Sequence, residues 1–511
     1  MKLLALALPH HDANLALLED GRVRYVKLER TRQHKRYSPD SVLEWPRLAR
    51  QAFGVAPEAL DDVVFCIDPG ALPADVRRGL PAEGLGRLAA GRSLAEPLDA
   101  ALSRHLGVPR GWLVSHHLAH ALDSWMLEGA EPAVRIVIDG LGDGRPWSVY
   151  RGKSFVAGGD IRRGSIGWGI REAGKLLDVS HGHYNDIAGK VMGLQSHGRV
   201  DPAFLQRLRR FDIDSVGELW SVEHWKRHRG DPLVARWSLL DWVATVHQRM
   251  EEVLVDFFAR HAQPGDTIAY SGGVAQNVVW NAALRRAFPR LRVPPHASDE
   301  GLSLGALEWL RHHHGLPPLQ LPGFPYAQED EPPAQGPSAR TLEHAAGLLA
   351  RGRTVGWFQG RGEIGPRALG NRSILVDPRQ PDARERLNRI KRREAYRPFG
   401  ASVLDEHFGE HFEGEADEFM MYACRVTDPA LASIRHVDGS ARVQRVTGRN
   451  PLLRALLQRF HGLTGCPVLA NTSLNIAGKP LAAFPENARQ VFHDADIDAM
   501  VVGDEVLLRS G

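Results

Sequence analysis

The chain has 511 residues, too many for one ordinary core, so two or three domains are expected. Apolar residues make up 43% and charged residues 24%, as in a soluble globular protein, and a formal net charge of +3 leaves no basic field of the kind that binds nucleic acid. Cys66, Cys424 and Cys466 are far apart with no CxxC spacing, which excludes a zinc ribbon and argues against a disulfide framework.

The start, MKLLALAL, carries a short apolar run but no small-residue cleavage site, and it runs into His10-His11-Asp12. It reads as a buried strand, and the protein as cytoplasmic, with no stretch long enough to span a membrane. Residues 3–29 predict strand, polar loop, strand, a turn at Glu19-Asp20-Gly21 and a third strand in which Val23, Tyr25 and Lys27 alternate with their neighbours. The pattern restarts at residues 134–139, where VRIVID ends in Gly140-Leu141-Gly142-Asp143-Gly144 and a hairpin partner follows at 147–150. Two such starts predict a duplicated α/β core. Residues 317–337 carry seven prolines and few apolar residues, so they read as a linker or an extended surface crossing, with a domain boundary near residue 330. A helix over 341–351 and a strand over 355–358 follow.

Between these elements lie the residues that carry chemistry. In Ser115-His116-His117-Leu118-Ala119-His120 the first and last histidines of the motif, His116 and His120, are four apart, so on a helix they share a face and can grip one metal. Asp139 ends a predicted strand, and Asp299 precedes a small-residue helix start. Two imidazoles and two carboxylates suit iron(II), manganese or zinc without choosing among them. Gly272 and Gly273 follow the strand predicted at 267–270 and lead through Asn277 into a helix, a loop that lets backbone N–H groups approach a phosphate or ribose. Lys190 and Gly193 form a second cation–glycine loop. Farther on, Arg367, Lys391, Arg397, Arg442 and Ser473 fall in four runs rich in Gly, Pro, Asn or Phe, a setting for cations held for an oxyanion and not for a solvated helical face.

Taken in order, HHDAN, HHLAH, IDGLG, GKVMGL, SGGVAQN, SDEGLSLGA, GPRALGNRSI, KRREAYRPF, HVDGSARVQ and NTSLN resemble the motifs of the O-carbamoyltransferases of nodulation-factor and antibiotic biosynthesis. The resemblance covers nearly the whole chain. It implies an α/β protein whose residues 1–330 form a duplicated actin-like (ASKHA) domain, similar to the universal tRNA threonylcarbamoyl transferase and containing a metal. Residues 331–511 would form an α+β YrdC-like domain that makes carbamoyl-adenylate from carbamoyl phosphate and ATP with Mg2+. The first domain would pass the carbamoyl group to a hydroxyl of a small molecule, a natural product or sugar. On the same grounds His116, His120, Asp139 and Asp299 are the metal ligands, with iron(II) favoured. The two glycine loops, with Lys190, Gly193, Gly272, Gly273 and Asn277, are expected to hold the nucleotide, while the resemblance implies that Arg367, Lys391, Arg397, Arg442 and Ser473 hold carbamoyl phosphate and the adenylate. His11 matches the family's histidine near the transfer site, and Asp241 is either the base that deprotonates the acceptor or a helix cap. Gln195 and His197 in MGLQSHG, and Leu474 in NTSLN, depart from the family pattern and bear on acceptor-pocket shape. An actin-like kinase or ATPase, or a tRNA threonylcarbamoyl-type transferase, is the competing reading. The expected partners are small molecules, without nucleic acid or membrane, and a homodimer is left open.

Overall fold

The first segment folds as a meander for a local reason: Asp20 and Gly21 both adopt positive φ, 51° and 76°, the conformation a two-residue hairpin turn requires. The computed structural model describes residues 1–8, 11–67, 94–129, 131–179, 183–230 and 238–509, and His10 of the first motif lies outside these. Strands β1 (Lys2–Ala7), β2 (Asn14–Glu19) and β3 (Arg22–Lys27) run antiparallel, and β4 (Asp62–Cys66), β5 (Ala95–Pro97) and β6 (Trp112–Val114) complete a sheet of order β3-β2-β1-β4-β6-β5. Here β4 is parallel to β1, and β6 is parallel to β4.

The second sheet repeats the plan. Strands β7 (Val134–Gly142), β8 (Arg145–Arg151) and β9 (Ser154–Gly158) form the meander, and β10 (Ile268–Ser271) and β11 (Leu291–Arg292) add in parallel on the far side of β7, in the order β11-β10-β7-β8-β9. The duplication predicted from the two strand–glycine starts is therefore present in the strand order. Central strands β1 and β7 are buried along most of their length, which is why β1 reads as a nearly continuous apolar run and β7 as one broken by Arg135 and Asp139.

The third sheet has nine described strands: β12 (Val355–Phe358), β13 (Arg372–Val376), β14 (Gly400–Leu404), β15 (Phe412–Glu413), β16 (Ala423–Val426), β17 (Ser440–Val446), β18 (Val468–Ser473), β19 (Ala499–Val502) and β20 (Glu505–Leu508). Their order is β15-β16-β17-β14-β18-β13-β12-β19-β20, mixed parallel and antiparallel, and they share an apolar core with the helices Ala339–Ala350 and Pro451–Thr464.

Residues 317–337, read from composition as a linker or an extended crossing, are a packed crossing. Leu321, Phe324 and Ala327 join the core under the first sheet. Gln328 is fully buried and accepts the Lys27 amide at 3.0 Å. Asp330 pairs with buried Arg372 at 2.8 Å. No helix among the described residues is long and apolar enough to cross a membrane.

Candidate active site

Two helices bring the His/Asp cluster together. Ser115 caps the helix His116–Leu122, so His116 and His120 project from one face. The helix Leu302–His313 crosses it at Gly305, where a Cβ would lie 1.8 Å from the Ala119 carbonyl oxygen. Only glycine permits that approach, and it brings Asp299 up to the histidines. Asp139 arrives on β7, positioned by the Gly273 amide, which donates to Oδ1 at 2.7 Å. One donor atom from each of His116, His120, Asp139 and Asp299 lies within 4.8 Å of all the others. His116 Nε2 is 3.2 Å from Asp139 Oδ2, and His120 Nε2 is 3.5 Å from Asp299 Oδ1. Burial opposes charge on His120, yet the carboxylates of Asp123, Asp299 and Asp139 beside it raise its pKa to about 10. His120 Nε2 is buried with no hydrogen-bond partner. A divalent ion of the Fe, Mn or Zn type fits this mixed N/O set and would satisfy that nitrogen.

His11 stands at the edge of this cluster, with Nδ1 2.9 Å from Asp12 Oδ2 and 3.6 Å from Asp299 Oδ2. Behind it lies a network that sequence reasoning missed. Buried Lys27 makes ion pairs with Asp12 at 3.0 Å, Glu29 at 2.9 Å and Glu300 at 2.7 Å. Burial works against its charge, but the three carboxylates raise its pKa above the usual lysine value. Asn14 donates to the Asp299 carbonyl at 2.9 Å and accepts the Ser303 amide at 3.0 Å, which ties the HHDAN segment to the loop bearing Asp299. The available signal was Lys27 at the end of a strand that leads into Glu29, because a buried lysine requires paired acids.

Several residues expected at a nucleotide have structural partners. Gly272 has φ 97°, and a Cβ there would sit 2.3 Å from the Ile138 carbonyl; Gly273 serves Asp139. Asn277 caps the helix Val278–Ala287 through its side-chain oxygen, and its amide nitrogen lies 3.1 Å from His247 Nε2. Lys190 is buried against the Val179 carbonyl and pairs with Glu394 at 3.0 Å. Gly193 lies against Tyr396 and Pro398. Asp241 closes a capping box with Ser238 and accepts the Arg199 amide at 2.7 Å, so its carboxylate is engaged by backbone amides.

The C-terminal cations do converge. Arg442 feels Arg367, Arg393 and Arg397, and burial together with these like charges drives its pKa well below the usual arginine value. Burial and Arg397 likewise lower Arg393 to about 9 and Arg367 to about 10. Guanidiniums stay charged at neutral pH, so these shifts report charge held out of water with like charges beside it. Nε of Arg367, Arg393 and Arg442 is buried without a hydrogen-bond partner. Arg393, one residue type among several in KRREAYRPF, was not singled out from sequence; it packs over Phe399 with its guanidinium 3.9 Å from the ring centroid. Lys391 instead donates to the Ser473 carbonyl at 2.7 Å, Ser473 Oγ at 3.0 Å and the Asn475 carbonyl at 2.6 Å. Lys391 and Ser473 thus brace the NTSLN loop beside the arginines.

Residues 219–307 match the family profile for the carbamoyltransferase N-terminus, and residues 346–509 that for the carbamoyltransferase C-terminus. Nodulation protein NolO of Bradyrhizobium diazoefficiens is 32% identical over 432 residues, 76% of this chain and 78% of that protein. Nodulation protein NolNO of Sinorhizobium fredii is 32% identical over 77% of this chain and 63% of its own length. The 3'-hydroxymethylcephem-O-carbamoyltransferase of Amycolatopsis lactamdurans is 37% identical over 51% of this chain and 52% of its own length. In the last two the match covers less than two thirds of the relative. Likeness to solved structures is low: the activator of 2-hydroxyisocaproyl-CoA dehydratase from Clostridium difficile superposes with a TM-score of 0.35 at 13% identity, over 63% of this chain and 100% of that one.

Proposed function

This chain belongs to the O-carbamoyltransferase family and is a carbamoyltransferase, and from that premise we propose that it activates carbamoyl phosphate with ATP as carbamoyl-adenylate and passes the carbamoyl group to a hydroxyl of a small molecule. The observation that carries the activation half is the cluster of Arg367, Arg393, Arg397 and Arg442. Burial and neighbouring cations lower Arg367, Arg393 and Arg442, each of which keeps a buried Nε–H without a partner, and with Arg397 beside them they form a site for a polyanion, whose binding relieves the repulsion. Carbamoyl phosphate and the triphosphate of ATP are anions of that kind. In activation, water cleaves carbamoyl phosphate to carbamate and phosphate, a carbamate oxygen attacks the α-phosphorus of ATP, and the bond to the β-phosphate breaks to release pyrophosphate; the arginines offset the charge of these leaving groups.

In the transfer half the acceptor oxygen attacks the carbamoyl carbon, the bond to the adenylate oxygen breaks, and AMP leaves with the electron pair. His11, held by Asp12 at the rim of the His/Asp cluster, takes the acceptor proton. Asp241 is left as a cap. His116, His120, Asp139 and Asp299 would hold a divalent ion, which supplies Lewis-acid polarisation and a fixed positive charge. The actin-like assignment of residues 1–330 and the YrdC-like assignment of residues 331–511 belong to the same proposal.

The test is release of pyrophosphate with carbamoyl phosphate, ATP and Mg2+ and no acceptor, with mass spectrometry of the quenched mixture. Wild type should release pyrophosphate and contain carbamoyl-adenylate. Arg397→Ala should lose both, whereas His11→Asn should keep the adenylate and fail to carbamoylate any acceptor. Absence of carbamoyl phosphate-dependent pyrophosphate release from the wild type would overturn the reading.

A further inference from the structure

His120 has two ring nitrogens in different surroundings. Nε2 faces Asp299 Oδ1 at 3.5 Å and has no hydrogen-bond partner. Nδ1 faces only acceptors, Ser271 Oγ at 3.4 Å and Asp123 Oδ2 at 3.7 Å. Ser271, the last residue of β10, donates to Asp123 Oδ2 at 2.5 Å, with the Ala297 carbonyl 3.1 Å away. Asp123 is the C-cap of the helix His116–Leu122 and is fully buried. Its Oδ1 has no hydrogen-bond partner, and among the described residues neither lysine nor arginine touches its carboxylate.

A buried carboxylate is costly unless positive charge stands beside it. Among the described residues the imidazole beside the Asp123 carboxylate is His120, with Nδ1 at 3.7 Å, whereas His296 Nε2 meets the Asp123 backbone carbonyl at 2.9 Å. We infer that Asp123 and Ser271 are positioning residues of the metal site: they hold the Nδ1–H of His120, turn its Nε2 lone pair toward the ion, and set the Asp123 charge against that of the ion. A carboxylate behind a metal-bound imidazole fixes its tautomer and raises its basicity in the same way. The sequence hides this arrangement, because Asp123 follows HHLAH as an ordinary helix end and Ser271 reads as part of a glycine loop.

The inference rests on the reading of His116, His120, Asp139 and Asp299 as metal ligands, and one experiment separates the two. Zn2+ is titrated into metal-free full-length protein in competition with a chromophoric chelator, for wild type, Asp123→Asn, Ser271→Ala and His120→Ala. Thermal unfolding is followed with and without Zn2+. Asp123→Asn should weaken Zn2+ binding by roughly 10–100-fold, and Ser271→Ala by less. Asp123→Asn should also gain less thermal stability from Zn2+ than wild type does. Equal affinity in wild type and Asp123→Asn would overturn this inference alone, as would a metal-free Asp123→Asn that is destabilised yet binds Zn2+ normally. No binding by the wild type would overturn the metal reading and this inference with it.

Discussion

Arg367 donates to the Gln276 carbonyl at 3.2 Å, and Gln276 lies three residues beyond the glycine whose amide holds Asp139. One short loop therefore touches the arginine cluster at one end and the His/Asp cluster at the other. The two chemistries proposed for this chain are joined through backbone, and substitutions in the loop should be felt on both sides.

Gly273→Ala tests the Asp139 end. A Cβ there would meet Asp139 Oδ1 at 2.7 Å, and the carboxylate has to move away. The fold should survive, with metal affinity and transfer reduced by about tenfold or more, as expected when a partner orienting a ligand is lost. Gly272→Ala is different, because its φ of 97° and the Ile138 carbonyl at 2.3 Å oppose any side chain. That variant should lose about 1–3 kcal/mol or more of stability. Metal titration and thermal unfolding of the pair distinguish local displacement from backbone strain.

Arg442→Met should raise the thermal stability of the ligand-free protein, since it removes a cation crowded by Arg367, Arg393 and Arg397. The same variant should lose a charge-assisted contact to the anion of about 1.5–3 kcal/mol, which is about one to two orders of magnitude in activation rate. Differential scanning calorimetry and pyrophosphate release read the two effects. A variant that is less stable and fully active would show that the arginines do not form an anion site.

Acid should destabilise the second sheet's core through two buried neutral histidines. Burial lowers His247 to about 3 and His117 to about 4. In the unfolded chain they protonate near 6.5, so their contribution is present above about pH 6.5 and is lost as pH falls toward these lower values. For His247 the full loss is on the order of a few kcal/mol. His247→Phe keeps the ring beside Trp280 but leaves the Asn277 amide without its partner. It should be less stable at pH 7.5 and lose less on going to pH 4.5, as measured by unfolding midpoints.

Limited proteolysis should spare residues 317–337 despite their seven prolines. Their backbone pairs with β3 through Gln320 and Gln328, and Asp330 is locked to Arg372. Mass spectrometry of early fragments checks this. First cleavage inside the segment would show that the packing is transient.

What the amino-acid order determined by itself was local and chemical. The Asp20-Gly21 turn, the apolar strands β1 and β7, the shared helical face of His116 and His120, and the capping potential of Ser115 all follow from neighbours within a few residues. The repeat of strand–glycine starts was enough to expect the duplicated sheet. Tertiary structure decided which polar residues belong to chemistry and which to scaffolding. Asp241 and Asn277 look like site residues in a string of letters, yet each finds unpaired helix-end amides first and caps them. Lys27, Asp123 and Arg393 look ordinary, yet folding sets Lys27 against Glu300, Asp123 against Ser271 and Arg393 near Arg442, and a buried charge has its role set by whatever surrounds it. Composition cannot decide this, because the partners that fix a buried group's charge and orientation come from elements hundreds of residues apart that meet only when the chain is folded.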